Sequence, residues 1–98
     1  MTVNEFEQLV EAQTQSLQNL PKALQALGYD KQGDWNQAHQ IVQNAGDADS
    51  AWVHAYLHRK EGDSSNARYW YNRSGRLEAK VDLNQEWEQI TQELLEKI

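Results

Sequence analysis

Two histidines, His54 and His58, stand four residues apart and are the side chains best suited to carry chemistry. On an α-helix this spacing places both on one face, and Glu61 continues that face one turn later. A third histidine, His39, lies at the edge of the apolar stripe of the helix predicted before them. Two histidines at this spacing, with a third ligand, can bind zinc or another borderline metal. One hypothesis is therefore a small metal-binding protein that uses His39, His54 and His58.

The same polar strip also fits a binding groove. Around its helix, apolar side chains occupy most other directions: Ala51, Trp52, Val53, Ala55, Tyr56 and Leu57. A polar strip on such a helix must meet water, a polar partner or other buried polar groups. In a stack of helical hairpins, concave surfaces bind extended partners. We therefore expect His54, His58 and Glu61, with Arg59 nearby, to contact a protein or peptide, unless they satisfy one another within the core.

The basic, aromatic segment 52–76 offers a third interpretation. Residues 50–76 carry five basic and two acidic side chains, a net charge of +3, whereas the whole chain carries −6. Arginine interleaved with aromatic rings is one way to bind single-stranded nucleic acid. The arginines could instead face the acidic terminal segments, with Trp70 and Tyr71 in the core. The overall acidity disfavours nucleic acid as a partner, and a nucleic-acid accessory function stays as an alternative.

The sequence contains no recognisable catalytic constellation. No glycine-rich run precedes a lysine and a serine or threonine, so a phosphate loop is not expected. In the zinc-protease helix motif a glutamate follows the first histidine, whereas here Ala55 follows His54. The chain has no cysteine, which excludes disulfides and thiolate metal ligands. We therefore predict that the protein is not an enzyme and needs no cofactor.

Membrane insertion and secretion are not expected. No apolar run approaches the roughly 20 residues that a helix needs to cross a bilayer. The first ten residues already carry Glu5 and Glu7, unlike the apolar core of a secretory leader. The sequence therefore predicts a cytoplasmic protein.

Helices must position all of these residues. Valine, isoleucine and threonine are sparse and never alternate, while helix formers abound, so we predict an all-α fold. Thr2 and Glu5 have the spacing of a capping box. We expect one helical domain over residues 1–98, with an N-terminal helix (1–20), a first hairpin (22–46), a second hairpin (50–75) and a C-terminal helix (82–98).

An internal repeat supports the two hairpins. KQGDWNQAHQIVQNAG (31–46) and KEGDSSNARYWYNRSG (60–75) align with an offset of 29 residues. Glycine can end a helix in the left-handed conformation, and a following aspartate can cap the next helix. Gly33-Asp34 and Gly62-Asp63 are therefore predicted as tight turns within the hairpins.

These hairpins resemble a known repeat family. NARYWYNRSG (66–75) resembles the second helix of a Sel1-type repeat, a relative of the tetratricopeptide repeat, and ALGY (26–29) resembles its first helix. The chain is also similar to a type of short bacterial protein with the same GDW–AH and HAYLHRKEGD–ARYWY pattern. The offset is shorter than the 34 residues of a tetratricopeptide repeat, and Tyr56-Leu57 replaces the Leu-Gly of the Sel1 pattern. The resemblance implies a fragment of an α-α superhelix, flanked by capping helices, that binds a protein or peptide without catalysis.

Overall fold

The computed structural model describes residues 1–13 and 15–98. These residues form six α-helices and one 3₁₀ helix, and they contain no strand. The all-α class is therefore confirmed, with 72% of the described residues in helices. The helices are α1 (Val3–Glu11), the 3₁₀ helix (Gln15–Asn19), α2 (Lys22–Lys31), α3 (Trp35–Gln43), α4 (Ala48–Lys60), α5 (Ser64–Ser74) and α6 (Leu83–Leu95). Within the described ranges, no helix is both long and apolar enough to cross a bilayer.

The N-terminal helix is shorter than the span 1–20 that the sequence predicts. It begins at the capping box, in which the Thr2 side chain accepts from the Glu5 N–H and the Glu5 carboxylate accepts from the Thr2 N–H. It ends at Glu11, and the 3₁₀ helix begins only at Gln15. Gln13 has a φ of 52°, in the left-handed region, which a right-handed α-helix cannot include.

Gly-Asp turns separate α2 from α3 and α4 from α5. Gly33 and Gly62 both have a φ of 88°. Each glycine N–H donates to the carbonyl three residues earlier, and the following aspartate N–H donates to the carbonyl five residues earlier. This pair of bonds is the Schellman motif that ends helices. The side chains of Asp34 and Asp63 then cap α3 and α5 by accepting the N–H three residues later. These four residues form the turns of the two hairpins.

The C-terminal helix α6 packs against α1, α2 and α4. Trp87 anchors it, because its indole N–H donates to the Leu27 carbonyl at 3.1 Å and its ring lies 6.0 Å from that of Phe6. Since α2 and α4 are the first helices of the two hairpins, α6 covers a face that both hairpins share.

Helix α4 is the centre of the molecule. It packs against α2, α3, α5 and α6, and every residue from Ser50 to His58 is buried. Its polar side chains therefore lie among neighbouring helices rather than in water. The role of the polar strip on α4 therefore depends on the side chains that these neighbouring helices place against it.

Candidate metal centre

Three histidines meet between α3 and α4, and we call them the histidine cluster: His39 from α3, and His54 and His58 from α4. One ring nitrogen from each lies within 4.8 Å of the others. The ring centroids are 4.7 Å (His39–His54), 5.1 Å (His39–His58) and 4.8 Å (His54–His58) apart. His54 and His58 are buried, whereas His39 is half-buried. The cluster is thus enclosed by protein and keeps some contact with solvent through His39.

A hydrogen bond joins two of the three rings. Nε2 of His54 lies 3.0 Å from Nε2 of His39. A bond between two imidazole nitrogens needs a donor and an acceptor, so one proton lies between them. Histidine binds a metal through an unprotonated nitrogen. A metal ion that took both nitrogens would therefore replace this proton.

Glu61 orients the third ring. Its Oε1 lies 2.6 Å from Nδ1 of His58. When Nδ1 of a neutral histidine donates to a carboxylate, Nε2 keeps the free lone pair. Carboxylates bound in this way fix the tautomer of metal-binding histidines and increase their basicity. The contact with Glu61 would therefore leave Nε2 of a neutral His58 free to accept a bond.

Two tryptophans hold the imidazoles in place. The ring of Trp35 stacks on His39 with centroids 4.8 Å apart, and its N–H donates to the Leu57 carbonyl at 2.9 Å. Trp70 of α5 stacks on His54 with centroids 3.9 Å apart. These contacts restrict the ring torsions, and the Trp35 hydrogen bond fixes the start of α3 to the end of α4.

The environment of the histidine cluster favours neutral rings. Burial lowers the pKa of His54, and charge repulsion from His39 and His58 adds to this effect. Together they bring the pKa to about 3. Burial and His58 also lower the pKa of His39, although Glu61 opposes this shift. Neutral imidazole is the form that binds metals. Near neutral pH, protons therefore compete only weakly with a metal for these two residues.

The four residues predicted to line a binding groove do not stay together. His54 and His58 are covered by α3 and α5, and Glu61 remains exposed beside them. Arg59 points to another side of α4, where it donates to Glu86 at 2.8 Å. Trp70 covers a strip that was expected to be open, and binding of a partner by these residues stays a prediction. The structure instead unites three of the four residues with His39.

The basic segment is largely paired with acidic side chains. Arg76 donates to Glu93 of α6 at 2.6 Å and lies 4.0 Å over the ring of Trp52. Arg68 donates to Glu78 at 2.9 Å. Trp70, as described above, stacks on a histidine. These contacts reduce the positive charge and the free aromatic surface that a nucleic acid would need.

Sequence reasoning missed a second buried polar group, which we call the carboxylate network: Asp30, Tyr56, Arg59, Lys60, Tyr71 and Glu86. Asp30 accepts from the Tyr56 hydroxyl at 2.8 Å and from Lys60 at 2.9 Å. Glu86 accepts from Arg59 at 2.8 Å and from the Tyr71 hydroxyl. A signal exists in the sequence. Asp30 lies three residues after Leu27, and Glu86 lies four before Ile90, which is the spacing of a buried helical stripe.

Comparisons with known proteins identify no relatives: no family model, no curated protein and no solved structure matches the chain. The resemblance to Sel1-type repeats therefore stays a hypothesis. The function of the histidine cluster has to be inferred from the geometry of the cluster itself.

Proposed function

We propose that this protein binds a borderline divalent transition-metal ion, with Zn²⁺ as the reference case, through His39, His54 and His58. The observation that carries the proposal is the convergence of three ring nitrogens within 4.8 Å of one another. Zinc binds histidine at about 2.0–2.1 Å in tetrahedral geometry, which places its ligand nitrogens about 3.3 Å apart. The nitrogens of His39 and His54 are 3.0 Å apart. For this pair, small rotations of the rings would therefore suffice.

Two further features support a metal rather than a simple polar core. The Glu61 carboxylate bonds to Nδ1 of His58 and leaves Nε2 as its ligand atom. Burial lowers the pKa of His54 and of His39, so both rings are neutral at neutral pH. The ligand set is all imidazole, which suits zinc, copper or nickel and not the hard cations calcium or magnesium.

The metal would connect the two hairpins. His39 belongs to the first hairpin, and His54 and His58 belong to the second. An ion held by all three would stabilise the folded chain. Once the concentration of free ion exceeds the dissociation constant, the stabilisation grows with the logarithm of their ratio. Three protein ligands also leave a fourth position for water or for a donor from another molecule. We propose no reaction at this position.

A protein-binding scaffold is the second candidate, and its surface would lie on α5 and the segment after it. Tyr69 is 51% exposed and Leu77 is 93% exposed, so two large apolar side chains face solvent in this part of the chain. Under this second candidate, the protein is a Sel1-type repeat protein that binds a protein or peptide in the cytoplasm, as expected from the sequence. It differs from the groove prediction because it does not use His54 and His58, which are buried.

Zinc titration of the purified protein tests the metal proposal. We expect one zinc ion per chain by calorimetry and a rise in the melting temperature. Copper(II) should also quench the tryptophan fluorescence, because Trp35 and Trp70 stack on two of the ligands. His39→Gln is the preferred variant, since His39 is half-buried and its loss threatens the fold least. A wild-type melt insensitive to zinc, nickel and cobalt would contradict the proposal.

A further inference from the structure

Two side chains of α4 contain buried polar atoms that have no hydrogen-bond partner among residues 1–13 and 15–98: Nδ1 of His54 and Oγ of Ser50. Ser50 is completely buried, and His54 is 3% exposed. A buried polar atom without a partner costs free energy, and such atoms in native proteins call for an explanation. Here two of them occur one helical turn apart.

The geometry of a helix brings these two side chains together. Residues four apart share a face, and helical side chains lean toward the N-terminus of the helix. The His54 ring therefore lies over the turn that contains Ser50. Its Nε2 is directed at His39, which leaves Nδ1 as the nitrogen available to the serine. A serine side chain has three staggered positions about one torsion, so a single rotation can bring Oγ toward Nδ1.

Metal binding makes this contact necessary. When Nε2 of a neutral histidine gives its lone pair to a metal, the ring proton must lie on Nδ1. Metal-binding histidines almost always donate that N–H to a carboxylate, a carbonyl or water. His58 has Glu61 for this purpose, whereas among the described residues His54 has no such acceptor unless Ser50 supplies it. The serine hydroxyl can at the same time donate its own proton to a main-chain carbonyl of the preceding turn.

We infer that Ser50 is a positioning residue of the metal site, and that its Oγ accepts a hydrogen bond from Nδ1–H of His54 when the metal is bound. This inference rests on the proposed function. It explains two unpartnered atoms with one contact. It also gives each histidine of α4 an acceptor for its second nitrogen: Glu61 for His58 and Ser50 for His54.

The variant Ser50→Ala tests the inference, with Thr91→Val as the matched control. Thr91 also has a fully buried hydroxyl without a partner in the described chain, but it lies on α6, which supplies no histidine. We expect Ser50→Ala to weaken zinc binding at least about 10-fold, the usual effect of losing such a partner. Its metal-free melting temperature should change little, because the Asp47 carboxylate, which the hydroxyl also faces, keeps the Ser50 N–H as its donor at 2.9 Å. Thr91→Val should leave zinc affinity unchanged.

Nitrogen-15 spectra of the histidine side chains give a readout that a purely structural role would not change. In the zinc-loaded wild type, we expect an Nδ1–H signal from His54 that exchanges slowly with water, and Ser50→Ala should accelerate that exchange. If the wild type binds no zinc, the proposed function fails first and the inference fails with it. If the wild type binds zinc and Ser50→Ala binds it equally well, only the inference is overturned. A large loss of metal-free stability in Ser50→Ala would also overturn it.

Discussion

Two buried polar groups lie on different sides of helix α4: the carboxylate network and the histidine cluster. They differ in how completely their polar atoms are hydrogen-bonded. In the carboxylate network, both oxygens of Asp30 and both oxygens of Glu86 accept hydrogen bonds. In the histidine cluster, Nδ1 of His54 has no partner within the described chain, and Nε2 shares one proton with His39. The two groups are similarly buried, so burial does not explain the difference.

This difference favours a structural role for the carboxylate network and a binding role for the histidine cluster. A ligand that entered the carboxylate network would have to break bonds that already exist, so this network acts as a joint between helices. The histidine cluster has lone pairs to give and an unpartnered atom to satisfy, so it gains bonds when a metal enters. The following predictions test this contrast, from the largest expected effect to the smallest.

Removing an acceptor from the carboxylate network should cost the most. Glu86→Met keeps the size of the side chain but leaves the Tyr71 hydroxyl without its acceptor and Arg59 with the Val81 carbonyl alone, and Glu86 is 2% exposed. We expect the free energy of unfolding in urea to fall by about 3 kcal/mol. Zinc affinity should stay unchanged. The exposed pair of Arg68 and Glu78 provides the control, because Glu78→Ala should cost less than about 1 kcal/mol.

Damage to the turn that ends α4 should cost less and should affect neither polar group directly. Gly62 has a φ of 88°, which a β-branched residue adopts at a cost of about 2 kcal/mol. Gly46 is a matched control, because a Cβ at either glycine meets no atom within 4 Å and only Gly62 has a positive φ. We expect thermal or urea unfolding to detect the loss in Gly62→Val but not in Gly46→Val. Equal stability of the two variants would contradict the assignment of the turn.

Acid should weaken the metal-free protein through the histidine cluster. The pKa of His54 is about 3 in the folded protein and about 6.5 in the unfolded chain, so the unfolded chain takes up the proton first as the pH falls. Its contribution to stability is therefore full above pH ~6.5 and declines toward pH 3. Between pH 7.5 and 5.5 we expect a loss of about 1 kcal/mol by urea unfolding. A profile that is flat over this range, where carboxylates ordinarily stay ionised, would count against a neutral buried cluster.

Replacing a histidine by an apolar ring should have the smallest effect on metal-free stability. His54→Phe removes a polar side chain whose Nδ1 is unpartnered and keeps an aromatic ring against Trp70. We expect a change of less than about 1 kcal/mol, because His39, which loses its bond to His54, is half-buried and can bond to water instead. Zinc binding should be lost. A loss of several kcal/mol would instead assign the histidines to a structural network like that of Glu86.

The local features of this fold were predictable from the sequence, and the long-range features were not. The capping box at Thr2 and the left-handed glycine at Gly62 depend on residues within a few positions of each other, so their spacing predicts them. The end of α1 near Gln13 has no proline or glycine to signal it. The packing of α6 across α2 and α4 depends on contacts such as Trp87 to Leu27, 60 residues apart.

The sequence predicted which residues form the histidine cluster, but not which side chains surround them. The spacing of His54 and His58 places them on one face, and the sequence also indicates His39 as a possible third ligand. Their burial depends on how Trp70 of a different helix packs over them, and no pattern within α4 contains that information. The unpartnered atoms of Ser50 and His54 were missed for the same reason, because such an atom is visible only once every neighbour is placed.

X-ray absorption spectroscopy of the zinc-loaded protein tests the central claim most directly. The account predicts a first shell with three imidazole nitrogens at about 2.0 Å, together with the outer-shell scattering typical of histidine rings. His39→Gln should reduce the imidazole count to two, whereas Glu86→Met should leave it at three. A first shell of oxygen ligands with fewer than two imidazoles would contradict the account, because zinc would then bind to surface carboxylates rather than to the histidine cluster.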